Sequence, residues 1–213
     1  HEAVMEIHPS QPDLVADQMR AALQANKVTA IKIGMLAAAE IVVAVAAVLR
    51  ENPQVPAVLD PVLASTSGQA LLDARAIAAM KRDVMPLCLL VTPNLIELAL
   101  LVGIERAVDE DGAVWQGQEL LVAGMQALLI KGGHAAGPRS TDILLRLDQE
   151  PIRFDMPRLA VSMRGTGCML ASAIAAHLSK GRSLEDSVRD GKLFVFEKLN
   201  KKSRTTMTLP QSI

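Results

Sequence analysis

The sequence predicts an α/β fold with a mostly parallel sheet and helices on both faces. Half of the 213 residues are hydrophobic, and short apolar segments alternate with longer segments of helical periodicity. Strands are predicted at residues 28–35, 57–62, 87–94 and 126–133. Because helical segments separate these strands, the pattern is that of repeated βαβ units, which place parallel strands side by side.

The remaining elements follow from periodicity and turn residues. Helices are predicted at residues 9–26, 37–52, 73–85, 94–103, about 114–124, 168–180 and about 184–199, with loops at 64–68 and 106–117. Residues 141–147 and 151–156 alternate with period two and predict a hairpin. Ser183 and Asp186 resemble a capping box at the start of the last helix. The tail, 203–213, fits either a final edge strand or a loosely held end.

Composition excludes several classes of function. The net charge is −1 and the chain has three Phe, one Trp and no Tyr, which argues against nucleic acid or an anionic membrane as a partner. No apolar run reaches transmembrane length. The two cysteines, Cys88 and Cys168, form neither a disulfide framework nor a metal cluster, so a reducing cytoplasm is the simplest location.

A glycine-rich turn precedes the helix that starts near residue 168. Arg164-Gly165-Thr166-Gly167-Cys168 lie where an extended segment gives way to that helix. Glycines allow the backbone to approach a ligand, and the first N–H groups of a helix carry the positive end of its dipole. The turn is therefore a candidate anion site. The alternative is a tight turn whose glycines only let the helix pack against the sheet.

Polar or small residues lie at or near the carboxyl end of each predicted parallel strand. They are Gly34-Met35, Asp60, Thr92 to Asn94, and Lys131-Gly132-Gly133. In open α/β sheets, ligands bind outside the carboxyl ends of the strands. We therefore expect these residues to lie around one site, together with the glycine turn.

Five segments carry a resemblance to a known family. KIGM, LDPV, TPNLIE, IKGGH and GTGC, in this order, resemble the hydroxymethylpyrimidine/phosphomethylpyrimidine kinases of thiamine biosynthesis, over about residues 4–199. These belong to the ribokinase-like superfamily, which includes pyridoxal kinase. The resemblance implies a three-layer α/β/α sandwich that uses ATP and Mg²⁺ to phosphorylate a hydroxymethyl group and then its monophosphate. A cytoplasmic enzyme is expected, and a homodimer is expected because related enzymes are often dimers.

The resemblance assigns the glycine turn to catalysis. The amides of Gly165, Thr166, Gly167 and Cys168 would stabilise charge on the transferring phosphoryl group. Cys168 stands where these kinases have a cysteine, and it is the candidate base for the acceptor hydroxyl. A thiol at a helix N-terminus is expected to have a lowered pKa, which suits this role. The alternative is a small, buried cysteine at a helix start.

The resemblance also implies a nucleotide and metal side. Asp60 and Glu97 are the expected metal-side carboxylates, and Asn94 is expected near the phosphates together with Thr92. Lys131 would offset phosphate charge as a point charge. Each has a structural alternative: Asp60 as a turn residue, Asn94 and Glu97 as a capping box, and Lys131 as a strand-end lysine that extends to water.

Gly34 and Met35 are the expected contacts of the pyrimidine. Met35 would line the substrate pocket, although methionine also serves to fill a core. Two rivals remain open for the function as a whole. One is pyridoxal kinase, whose hydroxymethylated pyridine is close in shape to the pyrimidine, and the other is a pyrimidine-binding homologue without catalysis.

The sequence departs from the family pattern at three places, one of which is the C-terminal tail, where the family's usual end is not found. Met163 and Arg164 precede the glycine turn where the family usually has His and Thr. The family's opening strand and its G-x-D-x-x-G-G-x-G motif are not found. We therefore expect a single domain over 1–213 that lacks this strand and motif, and we expect that the sequence is incomplete rather than that of a degenerate member.

Overall fold

A computed structural model describes residues 6–63, 71–134, 137–161 and 163–207 of the chain. The strands are β1 (Ile31–Ile33), β2 (Ala57–Leu59), β3 (Leu90–Val91), β4 (Ala127–Ile130), β5 (Arg139–Arg146) and β6 (Ile152–Pro157). The helices are α1 (Pro12–Ala25), α2 (Ala39–Glu51), α3 (Ala74–Ala79), α4 (Leu95–Val102), α5 (Glu110–Val122), α6 (Thr166–Leu178) and α7 (Leu184–Met207).

The six strands form one sheet in the order β1-β2-β3-β4-β5-β6. The first four are parallel, and β5 and β6 add an antiparallel hairpin to β4. The mostly parallel α/β prediction and the predicted hairpin are therefore confirmed. Strands β2, β3 and β4 are short and fully buried, as expected for a sheet covered on both faces.

Two apolar cores lie on the two faces of the sheet. The larger joins α2 to α5 with strand residues such as Leu59 and Val91, and side chains of α1 pack against it. The smaller joins α6 and α7 with the alternate strand residues, among them Val58 and Leu90. This alternation gives the predicted three layers, because successive strand side chains point to opposite faces.

Several element boundaries differ from the prediction. The loop predicted at 106–117 is wrong from residue 110 onward, because the Asp109 carboxylate accepts the Gly112 N–H at 2.8 Å and starts α5 early. Helix α3 continues into a π-helical turn and a 3₁₀ turn that together end at Leu87. Helix α7 reaches Met207, so an edge strand at 203–207 is wrong. The predicted loop at 64–68 and the tail from 208 lie outside the described residues.

The start of α7 has the predicted N-cap. The Asp186 N–H donates to the Ser183 hydroxyl at 3.1 Å, and that hydroxyl donates to the Asp186 carboxylate at 2.9 Å. In the part of the chain described, no helix combines the length and the apolar character needed to cross a membrane.

Candidate active site

The glycine turn forms the N-terminus of α6. Gly165 has φ 79°, a left-handed conformation that glycine adopts without strain, and it precedes the first helical residue, Thr166. No side chain of the described residues caps this helix. Since the first N–H groups of a helix have no partner inside it, those of Thr166, Gly167 and Cys168 are placed to receive an anion.

A buried charge cluster lies directly beneath this turn. The Lys131 ammonium is 2.7 Å from Asp60 Oδ1 and 3.6 Å from Glu97 Oε2. The exposed fractions of Asp60, Glu97 and Lys131 are 2%, 5% and 8%. One ammonium is thus held between two carboxylates away from water. The alternative interpretation of Lys131, as a side chain that extends to water, is wrong.

The sheet brings the three charged residues together. Asp60 follows β2, and its N–H donates to the Ile33 carbonyl of β1 at 2.9 Å. The Lys131 N–H donates to the Pro93 carbonyl at 2.8 Å, which continues the pairing of β3 and β4 by one step. Asp60 and Lys131 therefore extend β2 and β4, the two parallel strands on either side of β3, at the carboxyl edge that the sequence predicted.

Gly167 is the point at which the turn touches the cluster. A Cβ at this position would lie 3.1 Å from the Lys131 Nζ and 3.9 Å from both carboxylate oxygens of Asp60. A larger side chain would displace the ammonium. The glycine permits close packing, as the alternative interpretation of the turn requires, and the anion site stays a prediction.

Burial and mutual charge shift the pKa values of two members of the cluster, Glu97 and Lys131. Burial raises the pKa of Glu97, and the positive charge of Lys131 opposes this shift. Burial also acts to lower the pKa of Lys131, but the charges of Glu97 and Asp60 outweigh it and the pKa is raised. Lys131 is therefore protonated at neutral pH, and Glu97 is neutralised more easily than a free glutamate.

Asn94 and Glu97 form the predicted capping box at the start of α4. The N–H groups of Ile96 and Glu97 donate to Asn94 Oδ1, both at 2.9 Å, and the Asn94 N–H donates to Glu97 Oε2 at 2.8 Å. This same oxygen of Glu97 faces Lys131. The capping role is confirmed, and it also fixes the carboxylate in the cluster. A metal-side role stays a prediction.

Thr92 serves the sheet. It is fully buried, and its hydroxyl and its N–H both donate to the Leu59 carbonyl, at 3.3 Å and 2.8 Å. These bonds lengthen the pairing of β2 and β3 toward Asp60. A direct contact of Thr92 with the nucleotide stays a prediction.

Cys168 differs from the expectation in its titration. The residue is exposed, so the alternative of a buried helix-start cysteine is wrong. The predicted lowering of its pKa is also wrong. Shielding of the thiol by neighbouring atoms raises the pKa, as do a hydrogen bond to Asp60 and the negative charge of Asp60, while Lys32 and Lys131 act in the opposite direction. Without ligand, Cys168 is a thiol at neutral pH.

Gly34 and Met35 follow β1, a strand that contacts α6. Met35 is 41% exposed, so it does not fill the core. A Cβ on Gly34 would lie 2.8 Å from the Lys32 Nζ, so the lysine side chain extends along the strand toward its carboxyl end. Sequence reasoning missed Lys32. The available signal was a lysine between two isoleucines in an otherwise apolar strand.

A second missed group supports the turn after Lys131. The buried Asp142 carboxylate accepts the Gly132 N–H at 2.9 Å and pairs with Lys192 of α7 at 2.8 Å. The Arg158 guanidinium donates to the carbonyls of Gly132 and Gly133, at 3.2 Å and 2.5 Å. These contacts hold the backbone that carries Lys131.

The fold and this site define the class of protein. With helices on both faces of a mostly parallel sheet, the chain resembles ribokinase-like kinases in structure. The phosphomethylpyrimidine kinase from Clostridium difficile 630 superposes with a TM-score of 0.76 and 28% identity, covering 89% of this chain and 77% of that one. The pyridoxal kinase from Staphylococcus aureus in complex with AMP-PCP superposes with a TM-score of 0.82 and 27% identity, covering 91% of this chain and 70% of that one.

Sequence comparison identifies the family within this class. The family model described as phosphomethylpyrimidine kinase matches residues 1–209. The hydroxymethylpyrimidine/phosphomethylpyrimidine kinase of Rhizobium meliloti is 38% identical over 193 residues, which are 90% of this chain and 72% of the relative. The chain belongs to the phosphomethylpyrimidine kinase family.

Proposed function

We propose that the protein transfers the γ-phosphoryl group of ATP to hydroxymethylpyrimidine and then to its monophosphate, in thiamine biosynthesis. The observation that carries this proposal is the buried Lys131–Asp60–Glu97 cluster beneath the open N-terminus of α6. Phosphoryl transfer depends mainly on positioning and on electrostatic stabilisation of the transferring group. Helix amides above a fixed ammonium supply both.

The nucleotide side fits MgATP. Mg²⁺ is usually held by one or two carboxylates together with substrate phosphates. Asp60 and Glu97 supply two carboxylates against one ammonium, and burial raises the pKa of Glu97 despite the opposing charge of Lys131. Among the described residues there is no group of three or more His, Cys, Asp or Glu able to hold a metal alone. The metal would therefore arrive with the nucleotide phosphates.

Cys168 is the proposed acceptor of the hydroxyl proton. Its raised pKa depends in part on Asp60, through a hydrogen bond and through charge. A cation that compensates Asp60 would remove this influence and make the thiolate easier to form. Binding of the nucleotide with its cation would thus favour the Cys168 thiolate. In the free enzyme, Cys168 would stay protonated.

Pyridoxal is the second candidate substrate. The Staphylococcus aureus pyridoxal kinase has a higher TM-score than the Clostridium difficile phosphomethylpyrimidine kinase, 0.82 against 0.76, at nearly equal identity. The backbone alone therefore does not favour the pyrimidine. The 38% identity to the Rhizobium meliloti relative does favour it.

The test is ATP consumption by the protein with hydroxymethylpyrimidine, with its monophosphate and with pyridoxal in parallel. We expect turnover with the first two. Turnover with pyridoxal alone would replace the proposal by its second candidate. Binding of the pyrimidine without ATP consumption would mean a pocket without a catalyst.

A further inference from the structure

A second lysine lies on the acceptor side of the glycine turn. Lys32 is the middle residue of β1 and pairs in register with Val58 of β2. Val58 belongs to the core beneath α6 and α7, and Ala30 packs against that core. Because side chains alternate along a strand, Lys32 points to the α6 face, like Ala30.

The position of its ammonium is given by two neighbours. The Lys32 Nζ lies 2.8 Å from the position of a Cβ on Gly34, which places it at the carboxyl end of the strand beside Met35. The charge of Lys32 also acts to lower the pKa of Cys168, and it does so more strongly than the charge of Lys131. The ammonium therefore lies at the first turn of α6, on the side where the acceptor would bind.

Lys32 and Lys131 differ in their partners. Lys131 is held between Asp60 and Glu97, whereas Lys32 has no ion pair with any carboxylate that the structure describes. Lys32 is also only half-buried. No carboxylate of the described residues thus compensates its charge, and it can reach a ligand. An uncompensated ammonium beside a substrate pocket is suited to an anion.

The two proposed transfers make different demands on this region. In the first, the attacking atom is a hydroxyl oxygen, whose proton passes to the Cys168 thiolate as the new P–O bond forms and ADP leaves with the bonding electrons. In the second, the attacking atom is a phosphate oxygen that is already anionic, so no base is needed. The second transfer instead requires a cation to offset repulsion between the acceptor phosphate and the nucleotide phosphates.

We propose that Lys32 binds the phosphate of the phosphorylated acceptor and so permits the second phosphoryl transfer. This inference rests on the proposed function and assigns different residues to its two transfers. Cys168 accepts the proton of the alcohol in the first, and Lys32 binds the phosphate of the monophosphate in the second. The γ-phosphoryl group forms a bond to the acceptor phosphate oxygen, its bond to the ADP leaving oxygen breaks, and the product is a diphosphate.

The experiment compares the wild type with Lys32→Met, Lys32→Arg and Lys27→Met, using each acceptor separately as substrate. Lys27 is an exposed lysine before β1, so its variant is matched in charge and side-chain change. For Lys32→Met we expect KM for the monophosphate to rise roughly ten- to hundredfold, as for a lost charge-assisted hydrogen bond. Lys32→Arg should restore most of this loss.

The alcohol provides the internal comparison. The alcohol carries no phosphate for Lys32 to bind, so with the alcohol we expect KM of Lys32→Met to stay close to that of the wild type. The rise in KM should therefore be confined to the monophosphate. Lys32→Gln repeats the test if the methionine variant folds poorly.

Other outcomes overturn the inference. An equal rise in KM with both acceptors, or no change in KM for the monophosphate, would exclude Lys32 as its phosphate ligand while the proposed function stands. A wild type that phosphorylates the alcohol but not the monophosphate would exclude the second transfer itself. A wild type inactive on both would overturn the proposed function, and this inference with it.

Discussion

The two sides of the glycine turn use the same residue type in opposite ways. On the side of Asp60 and Glu97, Lys131 is buried and its charge is more than balanced by carboxylates. On the side of Gly34 and Met35, Lys32 is half-buried and without a described carboxylate partner. The first ammonium is part of the protein's own structure, and the second is available to a ligand. Environment, not residue type, separates a structural cation from a binding one.

Cys168 lies between the two lysines, and its removal should give the largest effect. We expect Cys168→Ala to lower kcat with hydroxymethylpyrimidine about 10²- to 10⁴-fold, as for loss of a general base, with little change in KM for ATP. Steady-state kinetics in both substrates measure this. The loss with the monophosphate should be much smaller. Unchanged turnover with the alcohol would remove Cys168 from the mechanism.

The next-largest effect is a difference in the free energy of unfolding between variants of the two lysines. Lys131→Met leaves two buried carboxylates without their cation, and we expect it to lower the free energy of unfolding by about 3–5 kcal/mol. Urea unfolding at neutral pH measures this. Lys32→Met is the matched control and should cost less than about 1 kcal/mol, because it breaks no described ion pair. Equal destabilisation by the two variants would contradict the comparison.

The two glycines of the turn give a smaller effect that sharpens the same contrast. Gly165→Ala forces a side chain into a left-handed conformation and should destabilise by about 1–2 kcal/mol. Gly167→Ala is in helical conformation, where alanine is favoured, so the free energy of unfolding should fall little or rise. Its Cβ presses on the Lys131 ammonium, so KM for ATP should increase. Full activity of Gly167→Ala would favour a turn that only packs.

The smallest effect concerns Glu97 and is seen as a function of pH. Its pKa is raised in the folded protein, so its stabilising contribution is complete below the unfolded pKa, about 4.3, and is lost as the pH rises through the folded value. Glu97→Gln keeps a capping acceptor for Asn94 and removes this titration. The wild type should therefore lose stability relative to the variant as the pH rises above about 4.3. A constant difference between the two unfolding curves from acid to neutral pH would contradict the assignment.

Local sequence signals predicted much of the fold. The alternation of apolar strands and helices, the hairpin, and the capping box of Asn94 and Glu97 all depend on residues close in the chain, and all three are confirmed. The start of α5 was missed because a single carboxylate, Asp109, outweighs a polar and glycine-containing segment. Such competition between weak signals is decided by one hydrogen bond, which periodicity does not report.

By itself, the sequence determined the family, the order of the elements and the place of the site, because five short motifs in fixed order and the carboxyl ends of parallel strands are readable along the chain. Only the tertiary structure decided the electrostatics. The direction of the Cys168 pKa shift depends on burial and on Asp60, Lys32 and Lys131, which are distant in sequence and belong to three different strands or the residues that follow them. The burial of Lys131 and the placement of Lys32 depend on the same packing. A charge is set by its distance to other charges and to water, and the fold alone sets those distances.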